Sequence, residues 1–458
     1  MSRMNSPIAE PSAGHPGLQS EAEKRGGFYH FGDNQKVRTR KVLLIAFHYP
    51  PCGTSSGLQR SLCFSRDLRE FGWSPIVLTA HPRAYRETRN DQLAQVPFDV
   101  PVHRVFALDT MRHLGIRGRY FGWSALPDHW ITWIAGALTT GLRFILDQQP
   151  DVIWSTYPLA TAHLIGVALH RLTGIPWAAD FRDPMTEIDP LTQQRFPTDP
   201  RLWSVRRWVE HHTIRYCQRA IFVTPSAMQI YQERYPERAN CMRLIENGFD
   251  EENFRAAELI RDNRPRKPGS LLLVHSGTLY PGPDRDASSF LAALANLRDA
   301  GKISSTTLRV RLRASGYDNI HRERIARYGV GDLVSLEPAI SYQAALVEML
   351  GADGLLLFQG STSNPAVPAK LYEYLRARRP IFALVDERGD TAAALRAAKI
   401  GTVVPLDSSE LIAAGLEDFL GEVRCGTAHV ASTDEIQKHS RKTKARELAG
   451  VLEEICPV

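Results

Sequence analysis

The sequence has little of what a metal centre, an export route or a membrane span would need. Its six cysteines (Cys52, Cys63, Cys217, Cys241, Cys425 and Cys456) are scattered without one Cys-x-x-Cys pair. That spacing argues against a metal cluster and fits reduced, intracellular thiols. No run reaches the roughly 18 apolar residues of a spanning helix. The first residues carry no apolar stretch of signal-peptide form, so a cytoplasmic protein is expected. There is no helix-turn-helix signature, zinc-finger spacing or dense basic tract, so nucleic acid is not an expected partner. No Gly-Lys-Ser/Thr closes a glycine loop and no Gly-x-Gly-x-x-Gly occurs, which removes the P-loop and the dinucleotide fingerprint. No internal repeat is found.

At 458 residues the chain exceeds the size at which single cores stop growing, and two domains are expected. Hydrophobic residues make up 43% and charged ones 23%, the balance of a globular protein. The net charge of +6 favours anionic partners, nucleotide diphosphates or an acidic membrane surface, without requiring them. Residues 1–38, rich in Ser, Pro, Gly and charge, read as a disordered tail. Continuous apolar runs typical of buried parallel strands then alternate with helical patterns. They fall at 42–47, 75–79, 102–107, 151–156, 176–179 and 220–224, and resume at 271–277, 308–312, 333–336, 354–358, 380–385 and 401–404. The restart predicts an α/β chain of two doubly wound domains, 39–250 and 269–425, joined by a linker at 251–268. A charged helix is expected over 434–455, within a terminal segment 426–458.

Loops leaving the carboxyl ends of such strands are where ligands bind, and several here carry chemistry. After the first strand, Gly53 and Gly57 precede a helix; glycine admits a ligand close to the backbone, and a helix start attracts an anion. The strand at 176–179 runs into Asp180-Phe181-Arg182-Asp183-Pro184, where charges are costly unless paired or used. Arg182 can grip a phosphate or an acceptor oxygen, and Asp180 or Asp183 can orient an acceptor hydroxyl. An internal Arg182–Asp ion pair would explain the same residues without function. Gly277 and Thr278 end another strand, with Arg285 nearby. Later comes Asn364-Pro365-Ala366-Val367-Pro368-Ala369-Lys370-Leu371-Tyr372-Glu373. Pro368 suits a first helical turn, whose free N–H groups face an anion. Lys370 adds a cation, and Glu373 a carboxylate for sugar or ribose hydroxyls; a plain Lys370–Glu373 surface pair is the alternative. Asp284-Arg285-Asp286 has the form of a metal-binding Asp-x-Asp, but Asp286 suits a helix N-cap better, and no metal is expected. The aromatic stretch 121–146, with Trp123, Trp130, Trp133 and Phe144, reads as a helix packed in the first domain or as an element lying on a membrane.

These loops, in this order and spacing, resemble those of GT-B glycosyltransferases, family 4 in particular. Pro50-Pro51-Cys52-Gly53 with Arg60 is similar to their first glycine loop. Asp180 to Pro184, the Asn247-Gly248-Phe249-Asp250 turn, Gly277 to Gly282, and Pro368 to Leu375 match further segments. The resemblance spans residues 41–420 and implies the GT-B architecture: two Rossmann-like domains facing across a cleft, acceptor side first and donor side second. The terminal helix would cross back to the first domain. The implied activity moves a sugar from a nucleotide-diphosphate donor to a saccharide or lipid-linked acceptor in surface or exopolysaccharide assembly. It would retain anomeric configuration and use no metal and no cofactor beyond the nucleotide sugar as substrate. A lipid-linked acceptor would bring the chain to the inner face of the membrane as a peripheral contact.

By the same resemblance, Gly277, Thr278, Arg285, Lys370 and the helix start near Pro368 cradle the diphosphate, and Glu373 holds the ribose. Gly53 and Gly57 belong to the donor pocket, and Asp180, Arg182 and Asp183 face the donor sugar. Three departures stand out. Thr54 replaces the second glycine of the first loop, a Lys expected near Arg285 is missing, and Ala366 replaces the first Glu of the Glu-x7-Glu pattern. Sugar recognition would then fall to Asn364 or to the backbone of Ala366 and Val367. The departures leave open a GT-B-shaped nucleotide-binding or scaffold protein without turnover, and a nucleotide-sugar epimerase.

Overall fold

The computed structural model describes residues 39–53, 57–117, 119–188, 193–260 and 269–456. The 1–38 tail, Thr54 and the 261–268 part of the expected linker lie outside the described residues. The continuous apolar runs become strands covered on both faces; Val42 to Ile45 and Leu355 to Leu357 are almost wholly buried. Seven strands form the first sheet: β1 (Arg40–Ile45), β2 (Trp73–Ala80), β3 (Val102–Val105), β4 (Val152–Thr156), β5 (Trp177–Arg182), β6 (Arg219–Phe222) and β7 (Met242–Leu244). Their order is β3-β2-β1-β4-β5-β6-β7, all parallel. Six form the second: β8 (Leu271–Ser276), β9 (Leu308–Arg313), β10 (Val334–Glu337), β11 (Gly354–Gln359), β12 (Ile381–Val385) and β13 (Val403–Val404). Their order is β10-β9-β8-β11-β12-β13, again parallel. The two doubly wound sheets expected from the sequence are present. Strand order reverses at β1/β4 and at β8/β11, and those reversals open the crevices where such sheets take ligands.

Five helices position the site: α1 (Gly57–Asp67), α2 (Pro225–Arg234), α3 (Lys370–Ala377), α4 (Asp390–Ala397) and α5 (Arg441–Glu453). Beside the cleft, α2 meets α4. The N–H and hydroxyl of Ser226 donate to the Asp390 carboxylate at 3.0 and 2.7 Å, and the Thr224 hydroxyl donates to the Pro365 carbonyl at 2.6 Å.

Three local features depart from the sequence reading. The first ten residues of the expected linker form a helix, Glu251–Ile260. The Asp250 carboxylate accepts the Glu252 N–H at 3.0 Å, Glu251 and Glu252 sit in the first turn where acids are favoured, and Phe254 and Ala257 are buried. A short antiparallel ribbon, Glu187–Ile188 with Arg195–Phe196, follows β5. The charged helix expected over 434–455 is broken in two at His439–Ser440.

The break has a long-range cause. The His439 carbonyl accepts the Phe249 N–H at 3.1 Å, and the Phe249 carbonyl accepts the Arg441 N–H at 2.9 Å. The returning chain thus pairs with the Asn247-Gly248-Phe249-Asp250 turn instead of continuing its helix. A Cβ at position 248 would stand 2.2 Å from the His439 carbonyl, so this turn needs glycine. From there α5 enters the core beneath the first sheet, where Ala445, Leu448 and Leu452 are fully buried in one cluster with β1.

Candidate active site

A cleft of about 570 Å³ opens between the carboxyl ends of the two sheets. On the second-sheet side, β8 ends at Gly277, whose φ of 107° is open only to glycine. A Cβ there would also lie 2.9 Å from Lys370 Nζ. Lys370 opens α3, and its ammonium donates to His275 Nε2 at 3.2 Å, while His275 Nδ1 donates to the Leu356 carbonyl at 2.8 Å. Burial and the neighbouring Lys370 charge hold the His275 pKa well below its ordinary value, so the ring is neutral. The crowded walls, with Arg285 beside them, lower the Lys370 pKa to about 7. At the start of α3 the Leu371 N–H donates to the Pro368 carbonyl at 2.9 Å. Among the described residues, no protein acceptor faces the amides of Val367, Ala369 and Lys370. Free amides at a helix start with a cation at its mouth are the arrangement that suits an anion.

Glu373 follows one turn on. Its Oε1 accepts from the Tyr342 hydroxyl at 2.7 Å, and burial raises its pKa. It forms no ion pair with Lys370, so the surface-pair alternative does not hold: both side chains face the cleft. Arg285 also lines the cleft, stacked over Tyr280 at 5.3 Å and paired with Asp284 at 3.2 Å.

On the first-sheet side, Gly53 lines the cleft and donates its N–H to the Glu87 carbonyl at 2.9 Å. Arg182 ends β5 at a bulge, with φ of 61°, an uncommon conformation for a residue with a side chain. Its Nη1 donates to the Tyr157 carbonyl at 3.1 Å, and its Nε is buried without an acceptor. Asp183 is accessible from the cleft, and desolvation by the surrounding walls raises its pKa. His48, buried near Arg182, falls to about 3 because burial and the Arg182 charge both disfavour protonation.

Several residues expected at the site are placed elsewhere. Asp180 is fully buried outside the cleft. Both its oxygens accept from Arg60, at 2.9 Å each, and Thr156 donates to it at 2.8 Å. The remaining guanidinium N–H groups of Arg60 reach the Ile245 and Glu246 carbonyls at 3.0 Å. One guanidinium therefore ties the first loop's helix, the β5 end and the Asn247-Gly248 turn together. The internal ion pair of this region is Arg60–Asp180, not Arg182 with an aspartate.

Gly57 borders a small internal gap with His48 and Thr156 instead of the cleft. Thr278 lies off the cleft and offers its carbonyl to Arg285 at 3.4 Å. Asn364 is spent structurally: its amide donates to Asp386 at 2.9 Å and its carbonyl accepts the Asp390 N–H at 3.0 Å. Ala366 lines the cleft, but its backbone is committed. Its carbonyl accepts from Gln359 at 2.8 Å and Thr391 at 3.1 Å, and its N–H donates to Ser363 at 2.9 Å. Of the two backbones considered for sugar recognition, only Val367 has a free N–H. Asp286 stands one residue before the N-cap position, which Ala287 occupies; its carboxylate still accepts the Ser288 N–H at 2.8 Å and pairs with Arg324 at 2.8 Å.

Sequence reasoning missed Arg441, Tyr342 and the Arg89–Asp91–Gln92 lip of the cleft, and His275, which lies buried behind Lys370. A histidine interrupting the apolar run of β8 was a readable signal for His275. Nothing local marked Arg441.

Residues 60–248 match the family described as "Glycosyl transferase 4-like domain". No curated protein matches the sequence. Among solved structures, the sucrose-phosphate synthase of Thermosynechococcus elongatus aligns with TM-score 0.65 at 14% identity, over 91% of this chain and 98% of that one. A glycosyltransferase from Rickettsia africae gives 0.62 at 11%, over 91% and 99%. HepE from Anabaena, in complex with UDP, gives 0.62 at 14%, over 91% and 100%; it has also been solved with UDP and glucose and with UDP-glucose. At these identities the likeness establishes the GT-B fold.

Proposed function

From the GT-B fold and the match of residues 60–248 to the glycosyl transferase 4-like family, we propose that the chain transfers a sugar from a nucleotide-diphosphate donor to a saccharide or lipid-linked acceptor. One observation carries the reading: Gly277, Lys370, the free amides at the start of α3 and Glu373 converge on one wall of the cleft, with Arg182 and Asp183 on the other. In this reading the anomeric C–O bond to the diphosphate breaks as an acceptor oxygen bonds the same carbon. Lys370 and the α3 amides stabilise the departing diphosphate by fixed charge and dipole. Glu373 holds ribose hydroxyls through its free oxygen, Arg182 binds a phosphate or acceptor oxygen, and Asp183 orients the acceptor hydroxyl. Retention of configuration, independence of metal and a place in exopolysaccharide assembly belong to the same proposal.

A peripheral membrane contact is supported by the start of the aromatic stretch and the residues just before it. Ile116, Phe121 and Trp123 are 78%, 73% and 73% exposed. Arg112, Arg117 and Arg119 lie among them, and no acidic residue occurs from Thr110 to Pro127. Aromatic and basic residues together suit an acidic lipid surface. Arg112 donates to the Tyr85 carbonyl, at the start of the loop that supplies Arg89, Asp91 and Gln92 to the cleft. Among the described residues, no helix is long and apolar enough to cross a membrane.

The test is a panel of UDP-, GDP-, ADP- and dTDP-sugars, read first by thermal shift and then by acceptor-dependent nucleotide release. One saturating donor is expected to stabilise the protein by about 3 kcal/mol at ~100 times its Kd. Binding of no member of the panel sinks the reading. Binding without release or transfer favours the scaffold alternative, and interconversion of the nucleotide sugar without an acceptor favours the epimerase.

A further inference from the structure

Two guanidinium groups in the cleft are left over once the donor wall is accounted for. Arg441, the first residue of α5, lines the cleft and is 5% exposed. Its backbone is fixed by the bond to Phe249, yet its side chain makes no hydrogen bond or ion pair among the described residues, and its Nε is buried without an acceptor. The Asp250 and Glu373 carboxylates lie close enough for its charge to favour their ionised forms, but neither is bonded to it. Asp250 is spent on Arg66 at 2.9 Å, and Glu373 is bonded to Tyr342. Arg182, 7% exposed, uses one N–H on Tyr157 and has no carboxylate within ion-pair distance. Burial disfavours the charge on Arg182 most; the Asp183 and Asp180 charges favour it, and Arg60 and Arg441 oppose it.

A desolvated guanidinium with no bonded anion is costly, and both side chains open on the same cleft, where an arriving anion lowers that cost. The donor diphosphate does not need them, because Lys370, Arg285 and the α3 start already face its two negative charges. Resting on the transferase reading of this cleft, we propose that Arg182 and Arg441 form a second anion site, which takes a phosphate group carried by the acceptor. The guanidinium fork suits two phosphate oxygens. The phosphate belongs either to a phosphorylated saccharide or to the diphosphate of a lipid-linked one.

The full chain is first saturated with UDP, or with the nucleoside diphosphate that the donor panel identifies. It is then titrated by calorimetry with inorganic phosphate, a hexose monophosphate and farnesyl diphosphate. Phosphate is expected to bind on top of the nucleotide, and Arg441→Met and Arg182→Met should each weaken it at least about tenfold with less than about twofold change in nucleotide affinity. The tighter of the two organic phosphates identifies the acceptor class. Because the charge removed has no partner, Arg441→Met is expected to raise the melting temperature of the ligand-free protein, whereas a structural guanidinium would lower it.

The proposal is overturned if the nucleotide-loaded protein takes up no phosphate, if Arg441→Met leaves uptake intact, or if it weakens the nucleotide instead. Failure of the transferase reading looks different: the wild-type chain binds no nucleotide. Phosphate titration of the free protein with and without Arg441 then still decides whether the anion site exists.

Discussion

The two walls of the cleft spend their charges differently. On the first-sheet wall the strongest pairing faces inward: Arg60 and Asp180 are buried, bonded through both carboxylate oxygens, and joined to the turn that leads into the second half. On the second-sheet wall, Lys370 and Glu373 sit one helical turn apart, do not pair with each other, and face the cavity. Both walls carry a Lys or Arg and a carboxylate near the carboxyl ends of parallel strands, Arg60, Lys370 and Glu373 on the helices that follow and Asp180 in β5 itself. What separates scaffold from site is whether each charge has a protein partner. A charge pair satisfied within the protein holds the cleft's shape; a charge left half-satisfied at the cleft is available to a ligand.

The largest expected effect tests the scaffold side. Asp180→Ala strands Arg60 as an uncompensated buried cation and should cost about 3–5 kcal/mol of stability, seen as a large fall in melting temperature. A mutant with wild-type melting temperature but no transfer would mean that Asp180 is catalytic and that the contrast between the walls is wrong.

Next comes Lys370→Met. Losing a charged contact worth roughly 1.5–3 kcal/mol should weaken nucleotide-diphosphate binding about 10- to 100-fold by calorimetry, without destabilising the ligand-free protein. Lost stability with retained affinity would move Lys370 to the scaffold class.

Arg182→Ala probes a first-wall cation that faces the cavity. Transfer should slow about tenfold or more, equivalent to ~1.4 kcal/mol, while nucleotide affinity changes far less. A destabilised mutant whose folded fraction transfers at the wild-type rate would return Arg182 to the scaffold.

The smallest effect is a pH dependence. Lys370 is charged below about pH 7 and loses its proton above it. A diphosphate should therefore bind a few-fold less tightly as pH rises through 7 to 8. The ligand-free protein should shift the other way. The unfolded lysine, near 10.5, keeps a proton that the folded one has lost, so this residue's contribution to stability rises with pH over that window. In Lys370→Met both slopes should flatten; unchanged slopes would assign the titration to another group.

Most strands were legible because each is a local run of apolar residues, and parallel strands buried on both faces leave the same mark wherever they occur; the three-residue β7 and the strand order were not read. Positions such as Gly277, Lys370 and Glu373 could be read because strand ends and helix starts impose local chemistry. Pairing was not legible. Asp180 finds its partner 120 residues away at Arg60, and no pattern around either residue states the match. Asn364 looked available for the same reason, its Asp386 and Asp390 partners belonging to the next strand–helix unit. The break at His439 has one local mark, Ser440, whose hydroxyl accepts the Thr443 N–H at 3.1 Å as the N-cap of α5; the strand-like pairing with Phe249 that accompanies it is brought about only by the fold.

That pairing bears on how the protein is made. Ala445, Leu448 and Leu452 complete the hydrophobic interior that β1 begins, so the earliest-synthesised strands lack part of their packing until α5 has left the ribosome. Domains usually fold in order of synthesis, at roughly 5–20 residues per second, and here the earlier half must wait on the order of 10–40 s while the later half is translated. Over that interval its uncovered apolar face is a target for chaperones and for premature association. Ribosomes stalled between residues 425 and 456 should carry a nascent chain whose first half is protease-sensitive beside an already protected second half.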